Sequence, residues 1–165
     1  MAVTEYSFDV VSTVDLSEVK NAIDAAEKEI ATRYDLRNTK TKIDQEENTL
    51  KILSDDQFRL DIVLEIIRSK LVKRNISLKS LEYGKVEQAS GGAARQTVTL
   101  RQGIPMEEAK KLVKDLKSAG LKAQAQIQGE AVRISSKDKD ALQAAQAHIK
   151  GLKDLSYDVT FTNYR

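Results

Sequence analysis

The chain has 165 residues, and its 27 Lys and Arg against 25 Asp and Glu leave a formal net charge of only +2. That near balance is not the strongly basic composition of an obvious nucleic-acid binder. The sequence has no cysteine, which excludes disulfides and thiolate sites. No apolar run has the length or position of a membrane span or a secretory signal, so the composition predicts a cytoplasmic protein without membrane contact.

The first half of the chain alternates strand and helix patterns. Apolar residues two apart predict a strand over 6–11, and helical spacing then continues to about Arg33. A strand over 39–44 and a strand beginning at Thr49 follow, joined by a polar turn. A helix with a wide apolar face then runs from about Phe58 to Asn75, and an extended run over 76–83 completes this half.

The second half repeats this order after a glycine-containing loop at 90–94. Strands are predicted over 96–101, 121–128, from Ala131 and over 157–163, with helices over 105–120 and 139–152. The stretch 49–60 returns as 131–142, each copy having two alternating apolar residues and then a serine suited to an N-cap, Ser54 or Ser136. This repeat indicates an internal duplication.

Each half therefore has the order strand, helix, strand, strand, helix, strand. Helices that follow the first and third strands fall on one face of the sheet. The predicted class is α+β, with two ferredoxin-like units, each an antiparallel four-stranded sheet with two helices on one face. We place the units at residues 1–90 and 91–165. The sequence leaves open that the N-terminal strand, residues 5–12, pairs into the second sheet.

The residue types needed for catalysis do not combine into a recognisable site. His148 is the single histidine and lies in an alanine-rich helix, whereas acid–base catalysis needs a positioned partner. A nucleophile elbow, a Walker loop and a Gly-x-Gly-x-x-Gly motif are all absent from the sequence. Gly91-Gly92 fits a loop better than a phosphate cradle, and the acidic clusters lack calcium-loop spacing. The chain is predicted not to be an enzyme and to use no cofactor or metal.

The uncovered sheet faces are the better candidates for binding. In the second half, alternation turns Ala125 and Ile127 toward the helices and polar side chains outward, with Thr99 and Arg101 expected on the neighbouring strand. Glutamine amides donate and accept at once, which suits base edges, while Arg and Lys suit phosphate. Plain solvation of the face explains the pattern equally well. The candidate binding residues are Arg37, Lys40, Lys42, Arg101, Lys122, Gln124, Gln126, Gln128 and Arg133.

Aromatic side chains are not expected on these faces. By alternation, Tyr6, Phe8, Tyr157 and Phe161 point to the helix side. Base stacking on the sheet, as in RNA-recognition domains, is therefore not predicted.

Four segments resemble motifs of the bacterial YajQ family. They are residues 7–12, 33–37, 100–104 and 124–130, in order over nearly the whole chain. The segment that the family tends to write Phe-Asp-Phe-Arg-Gly is 34–38 here, which keeps Arg37 but loses an aromatic residue and a glycine. The resemblance implies two ferredoxin-like domains and a nucleotide-binding protein, with nucleotides, cyclic dinucleotides and RNA such as tRNA as candidate ligands.

Two hypotheses of function follow. In the first, the chain is a non-enzymatic nucleotide- or RNA-binding protein that sets basic side chains on phosphates and glutamines on bases. In the alternative, it is a protein-interaction module or transcriptional cofactor, controlled by a cyclic dinucleotide, that holds a protein partner on a sheet edge or face.

Overall fold

The computed structural model describes residues 5–152, 155 and 157–165. The elements, in chain order, are β1 (Tyr6–Val11), α1 (Leu16–Thr32), β2 (Lys42–Glu46), β3 (Thr49–Ser54), α2 (Gln57–Lys73), β4 (Leu81–Tyr83), β5 (Glu87–Gln88), β6 (Ala94–Leu100), α3 (Met106–Ser118), β7 (Gln124–Gln128), β8 (Ala131–Ser136), α4 (Lys139–Lys150) and β9 (Thr160–Thr162). Short 3-10 turns, Leu78–Ser80 and Ser90–Gly92, precede β4 and β6. None of the described helices is long and apolar enough to cross a bilayer.

The chain divides into two compact units. The first unit is the continuous segment Val14–Gln102, and the second is built from the segments on either side of it. The first has an antiparallel sheet in the order β2-β3-β6-β4, with β5 also paired to β6; the second has the order β7-β8-β1-β9. Two helices accompany each sheet among the described residues, α1 and α2 in the first unit and α3 and α4 in the second. The predicted α+β class with two ferredoxin-like units is confirmed.

The division of the chain differs from the predicted boundary near residue 90. β1 pairs with β8 and β9 of the second unit, and β6 pairs with β3 and β4 of the first. The first strand of each predicted half thus lies inside the other unit's sheet, which for β1 is the arrangement that the sequence left open. Both strands alternate apolar and polar residues, with Phe8 and Val10 buried in β1 and Val98 and Leu100 buried in β6. Alternation sets which face a strand buries, but it does not choose between two similar sheets.

The helix starts show how the repeated stretch folds. Ser54 and Ser136 are buried strand ends rather than the predicted N-caps. The caps come two residues later, where Asp56 accepts from the Arg59 amide and Asp138 from the Asp140 amide. A carboxylate also suits the positive end of the helix dipole, so the two copies share one capping chemistry.

Two of the segments that carry the family resemblance meet in the second unit. Gly103 has a φ of +84° and lies against Glu130, so an added Cβ would stand 2.6 Å from the Glu130 Cβ. The Ile104 amide donates to the Glu130 carbonyl at 2.9 Å. In the first unit, the Gln102 side chain accepts from the Val14 amide at 2.9 Å and donates to the Val14 carbonyl at 2.8 Å. These residues therefore have structural roles.

Candidate functional site

The open face of the second unit's sheet is polar and carries the three predicted glutamines. Gln124, Gln126 and Gln128 are exposed along β7, while Ala125 and Ile127 between them pack against the core. Lys122, just before β7, is also exposed. The aromatic residues Tyr6, Phe8, Tyr157 and Phe161 belong to the core on the helix side. The three glutamines are thus exposed, as the alternation of β7 predicts, and their contact with bases stays a prediction.

Arg133 occupies this face but is engaged by a carboxylate. Its Nε donates to Asp9 Oδ1 at 2.9 Å and its Nη2 to Oδ2 at 3.4 Å. Asn163 also donates to Asp9 Oδ2, at 2.9 Å. The Arg133 hydrogen bond above all, with help from Asn163, outweighs the effect of burial and holds the pKa of Asp9 below its ordinary value. Because its charge is already matched, Arg133 is a weaker candidate for phosphate than an exposed lysine.

Thr99 lies in the other sheet and Arg101 directly follows the same strand, so the expectation that they border the glutamines was wrong. The strand beside β8 is β1, whereas β6 carries Thr99 next to Thr49 of β3. Arg101 follows β6, donates from Nη2 to the Lys79 carbonyl at 2.9 Å and has its Nη1 3.8 Å from a Glu82 carboxylate oxygen. The cause is that β6 lies in the sheet of the first unit and β1 in that of the second, which also accounts for the difference in the domain boundary.

The other predicted cations of the first unit are exposed. The Arg37 guanidinium lies 5.3 Å from the centroid of the Tyr34 ring, and Lys40 donates its backbone amide to Asp55 at 2.8 Å. Both precede β2, whereas Lys42 lies within it. Of these three predicted cations, Lys42 alone lies in a strand of the sheet.

A basic cleft opens on the face of the first unit's sheet that the helices leave uncovered. The cavity has a volume of about 550 Å³. Strand register places Leu53 between Lys42 and Arg95 in one cross-strand row, with Lys51 and Thr97 paired in the next. The charged residues that line the cleft are Lys42, Lys51, Lys85, Arg95, Asp44 and Glu87. With four cations against two carboxylates, the cleft carries an excess of positive charge.

The ion pairs in and beside the cleft are exposed ones. The distances are 3.6 Å for Lys42 to Asp44, 3.2 Å for Lys51 to Glu46 and 3.2 Å for Arg95 to Glu87. Solvent-exposed pairs of this kind contribute about 0–1 kcal/mol each. An incoming phosphate can therefore take the place of the carboxylates at little cost.

Sequence reasoning missed Lys85 and Arg95. The region 85–96 has no clear periodicity, and β6 begins at Ala94, two residues before the predicted strand. In β6 the residues Ala94, Gln96, Val98 and Leu100 are buried, which places Arg95 on the open side. Extending the alternation of buried residues back from Val98 through Gln96 would have placed Arg95 on the open face.

His148 makes a contact between helices. Its Nε2 lies 2.7 Å from Asp115 Oδ2, which links α4 to α3. Within the described part of the chain, no group of three or more His, Asp or Glu side chains could hold a metal ion. This polar contact gives His148 a structural role between the two helices.

Comparison with known proteins settles the family. A family model described as "Nucleotide-binding protein YajQ-like" matches residues 6–165. The chain belongs to the YajQ family. A nucleotide-binding protein of Koribacter versatilis is 52% identical over 159 residues, which cover 96% of each chain. Nucleotide-binding proteins of Picosynechococcus sp. and Bacillus mycoides are 53% and 49% identical, over 96% and 98% of this chain and 97% and 98% of theirs.

Proposed function

We propose that this YajQ-family chain is a non-enzymatic protein that binds nucleotides or RNA by their phosphate groups. The observation that carries the proposal is the basic cleft, a cavity of about 550 Å³ lined by Lys42, Lys51, Lys85 and Arg95. Lysine and arginine form charge-assisted hydrogen bonds with phosphate oxygens. Two relatives, 52% and 48% identical to this chain, are described as nucleotide-binding proteins, which agrees with a nucleotide ligand.

The first unit offers further phosphate contacts outside the cleft, and the second unit offers base contacts. Arg37 and Lys40 are exposed and have no role in the core, so they are the next candidates for phosphate. Gln124, Gln126 and Gln128 are proposed to contact bases, because an exposed amide can match both the donors and the acceptors of a base edge. Lys122, Arg101 and Arg133 complete the set predicted from sequence, with the two arginines less available for the reasons above.

The proposal is tested by titrating the full chain with a mononucleotide, a cyclic dinucleotide, single-stranded RNA and tRNA at several salt concentrations. Each phosphate contact on a single strand contributes about 0.7 to the slope of log affinity against log salt. A Lys51→Ala, Arg95→Ala double variant removes two of the four cleft cations, so the slope for single-stranded RNA should become shallower by about 1.4.

A matched control is Lys28→Ala with Lys73→Ala, two exposed lysines on helices α1 and α2 of the same unit. It makes the same change in net charge and should leave the slope nearly unchanged. Absence of saturable binding of every probe at low salt, or equal slopes for the two double variants, would refute the proposal.

A further inference from the structure

Three aromatic side chains of the second unit, Tyr6, Phe8 and Tyr164, line one cavity. A pocket of about 450 Å³ lies between β1, α4 and the residues after β9. Its lining includes Tyr6 and Phe8 of β1, Leu142 of α4 and Tyr164. Sites for small ligands commonly have volumes of about 300–1,000 Å³ and apolar walls, so this pocket has the size and surface of such a site.

Tyr164 is the unusual member of this aromatic pocket. It is 60% exposed, although a tyrosine ring has a large apolar surface. Its ring centroid lies 6.0 Å from that of the buried Phe8, and its hydroxyl accepts from Gln146 at 3.2 Å. The next residue, Arg165, pairs with Ser7 through two backbone hydrogen bonds of 3.0 and 3.2 Å. An exposed aromatic ring is thus held in a defined position at the pocket, where it offers a face for stacking.

The polar groups of the pocket suit a ligand with a hydrogen-bonding edge and a negative charge. Gln143 and Gln146 of α4 line it with side-chain amides. Lys139 also lines it, with its ammonium 5.0 Å from the centroid of the Tyr6 ring. A cation above a ring face keeps its positive charge available to an anion, since the ring contributes no opposite net charge.

We infer that the aromatic pocket binds a nucleobase carried on a phosphate, with the base against Tyr164, its edge at the glutamine amides and the phosphate near Lys139. A nucleobase is flat, with apolar faces and a polar edge, and base stacking on an aromatic side chain is tolerant of base identity. The inference takes its ligand class from the proposed function but assigns a different site, in the second unit rather than the basic cleft.

Calorimetry at low salt with GMP, UMP and ribose 5-phosphate tests the inference on the full chain. Tyr164→Ala should weaken the binding of both mononucleotides by about 5- to 150-fold, the range expected for the loss of one stacked base. Tyr164→Phe keeps the ring and should retain most of the affinity. Phe58→Ala is the matched control, because Phe58 is an aromatic residue that is 73% exposed and lies in the first unit.

The outcomes separate this inference from the proposed function. Amide chemical-shift changes on adding GMP should fall around residues 6–8, 139–146 and 164, and should persist in the Lys51→Ala, Arg95→Ala variant. Changes confined to the basic cleft, or equal affinity in the Tyr164→Ala variant, would overturn the aromatic pocket while leaving the cleft intact. Absence of binding of both mononucleotides would also overturn the aromatic pocket as a binding site. If ribose 5-phosphate bound as tightly as GMP, the base would contribute nothing to binding, which would overturn the inference too.

Discussion

Gly103→Ala should destabilise the second unit by an amount that can be divided into two parts. Gly103 has a φ of +84°, and a Cβ built there would meet the Cβ, Cδ and Oε2 of Glu130 at 2.6, 2.7 and 2.7 Å. The left-handed conformation costs a residue with a Cβ about 1–2 kcal/mol. The overlap with Glu130 adds a further cost of about 1–3 kcal/mol, typical of inserting a methyl group into filled space. The expected total loss is about 2–5 kcal/mol.

The steric part is specific, because the nearest atom is the Cβ of Glu130 and not the mobile end of its side chain. The Glu130 carbonyl is in turn tied to the Ile104 amide at 2.9 Å, so the hairpin turn cannot retreat without losing a hydrogen bond. Gly120→Ala is the matched control in the same unit, since Gly120 has a φ of +70° and no heavy atom within 4 Å of the added Cβ. It should lose only the conformational part, about 1–2 kcal/mol.

Urea denaturation followed by amide signals of the second unit measures these losses separately from unfolding of the first unit. Adding Glu130→Gly to Gly103→Ala removes all three close atoms and should recover the steric part, whereas adding Glu130→Ala leaves the Cβ and should recover little. The reasoning is refuted if Gly103→Ala costs no more than Gly120→Ala, or if Glu130→Ala restores stability as fully as Glu130→Gly.

Two further predictions concern protonation. The Tyr157 phenol is 1% exposed and its hydroxyl has no hydrogen-bond partner among the described residues, and burial, with a smaller effect of the Glu108 charge, raises its pKa from 10.0 to about 12. Because folding favours the neutral phenol, the free energy of unfolding keeps its full value below the unfolded-state pKa and falls above it, by about 1.4 kcal/mol at pH 11. Tyr157→Phe should abolish this fall and be neutral or slightly stabilising at pH 7, as comparison of urea curves at pH 7 and 11 will show. The pKa of Asp9 is instead lowered by Arg133, so the stabilisation that the Asp9 carboxylate contributes is present above the ordinary carboxyl pKa and disappears as the pH falls through the lowered folded-state value. The difference in free energy of unfolding between wild type and Asp9→Asn should therefore be largest near pH 7 and shrink below about pH 4. A difference that does not change with pH would contradict this prediction.

The sequence predicted the elements well because each one buries its own apolar pattern. Helices α1 to α4 and the strands around Phe8, Ile52, Val98 and Ile134 agree with the spacing of apolar residues, which depends only on neighbours along the chain. The outward position of the glutamines follows from the same rule. Boundaries moved where tertiary hydrogen bonds decide them, as at β2, which runs to Glu46 through residues predicted to form a turn.

The candidate site was predictable only in part. Lys42 and the glutamines were found because each lies in a clean alternation. The engagement of Arg133 by Asp9 could not be foreseen, because Asp9 reaches it only through the pairing of β1 with β8. The aromatic pocket had no sequence signal either, since Tyr6, Gln146 and Tyr164 are far apart in the chain and satisfy ordinary core or surface patterns.

The amino-acid sequence by itself determined that this chain forms two βαββαβ sets of elements, each with one apolar and one polar sheet face, because burial of alternating residues is a local property. Only the tertiary structure decided that β1 completes the second unit and β6 the first. Two similar strands with equivalent alternation can occupy either sheet as far as local pattern is concerned, so the choice depends on backbone pairing and side-chain packing between residues distant in sequence. That choice also determines which charged residues meet, and hence which cations remain available to a phosphate.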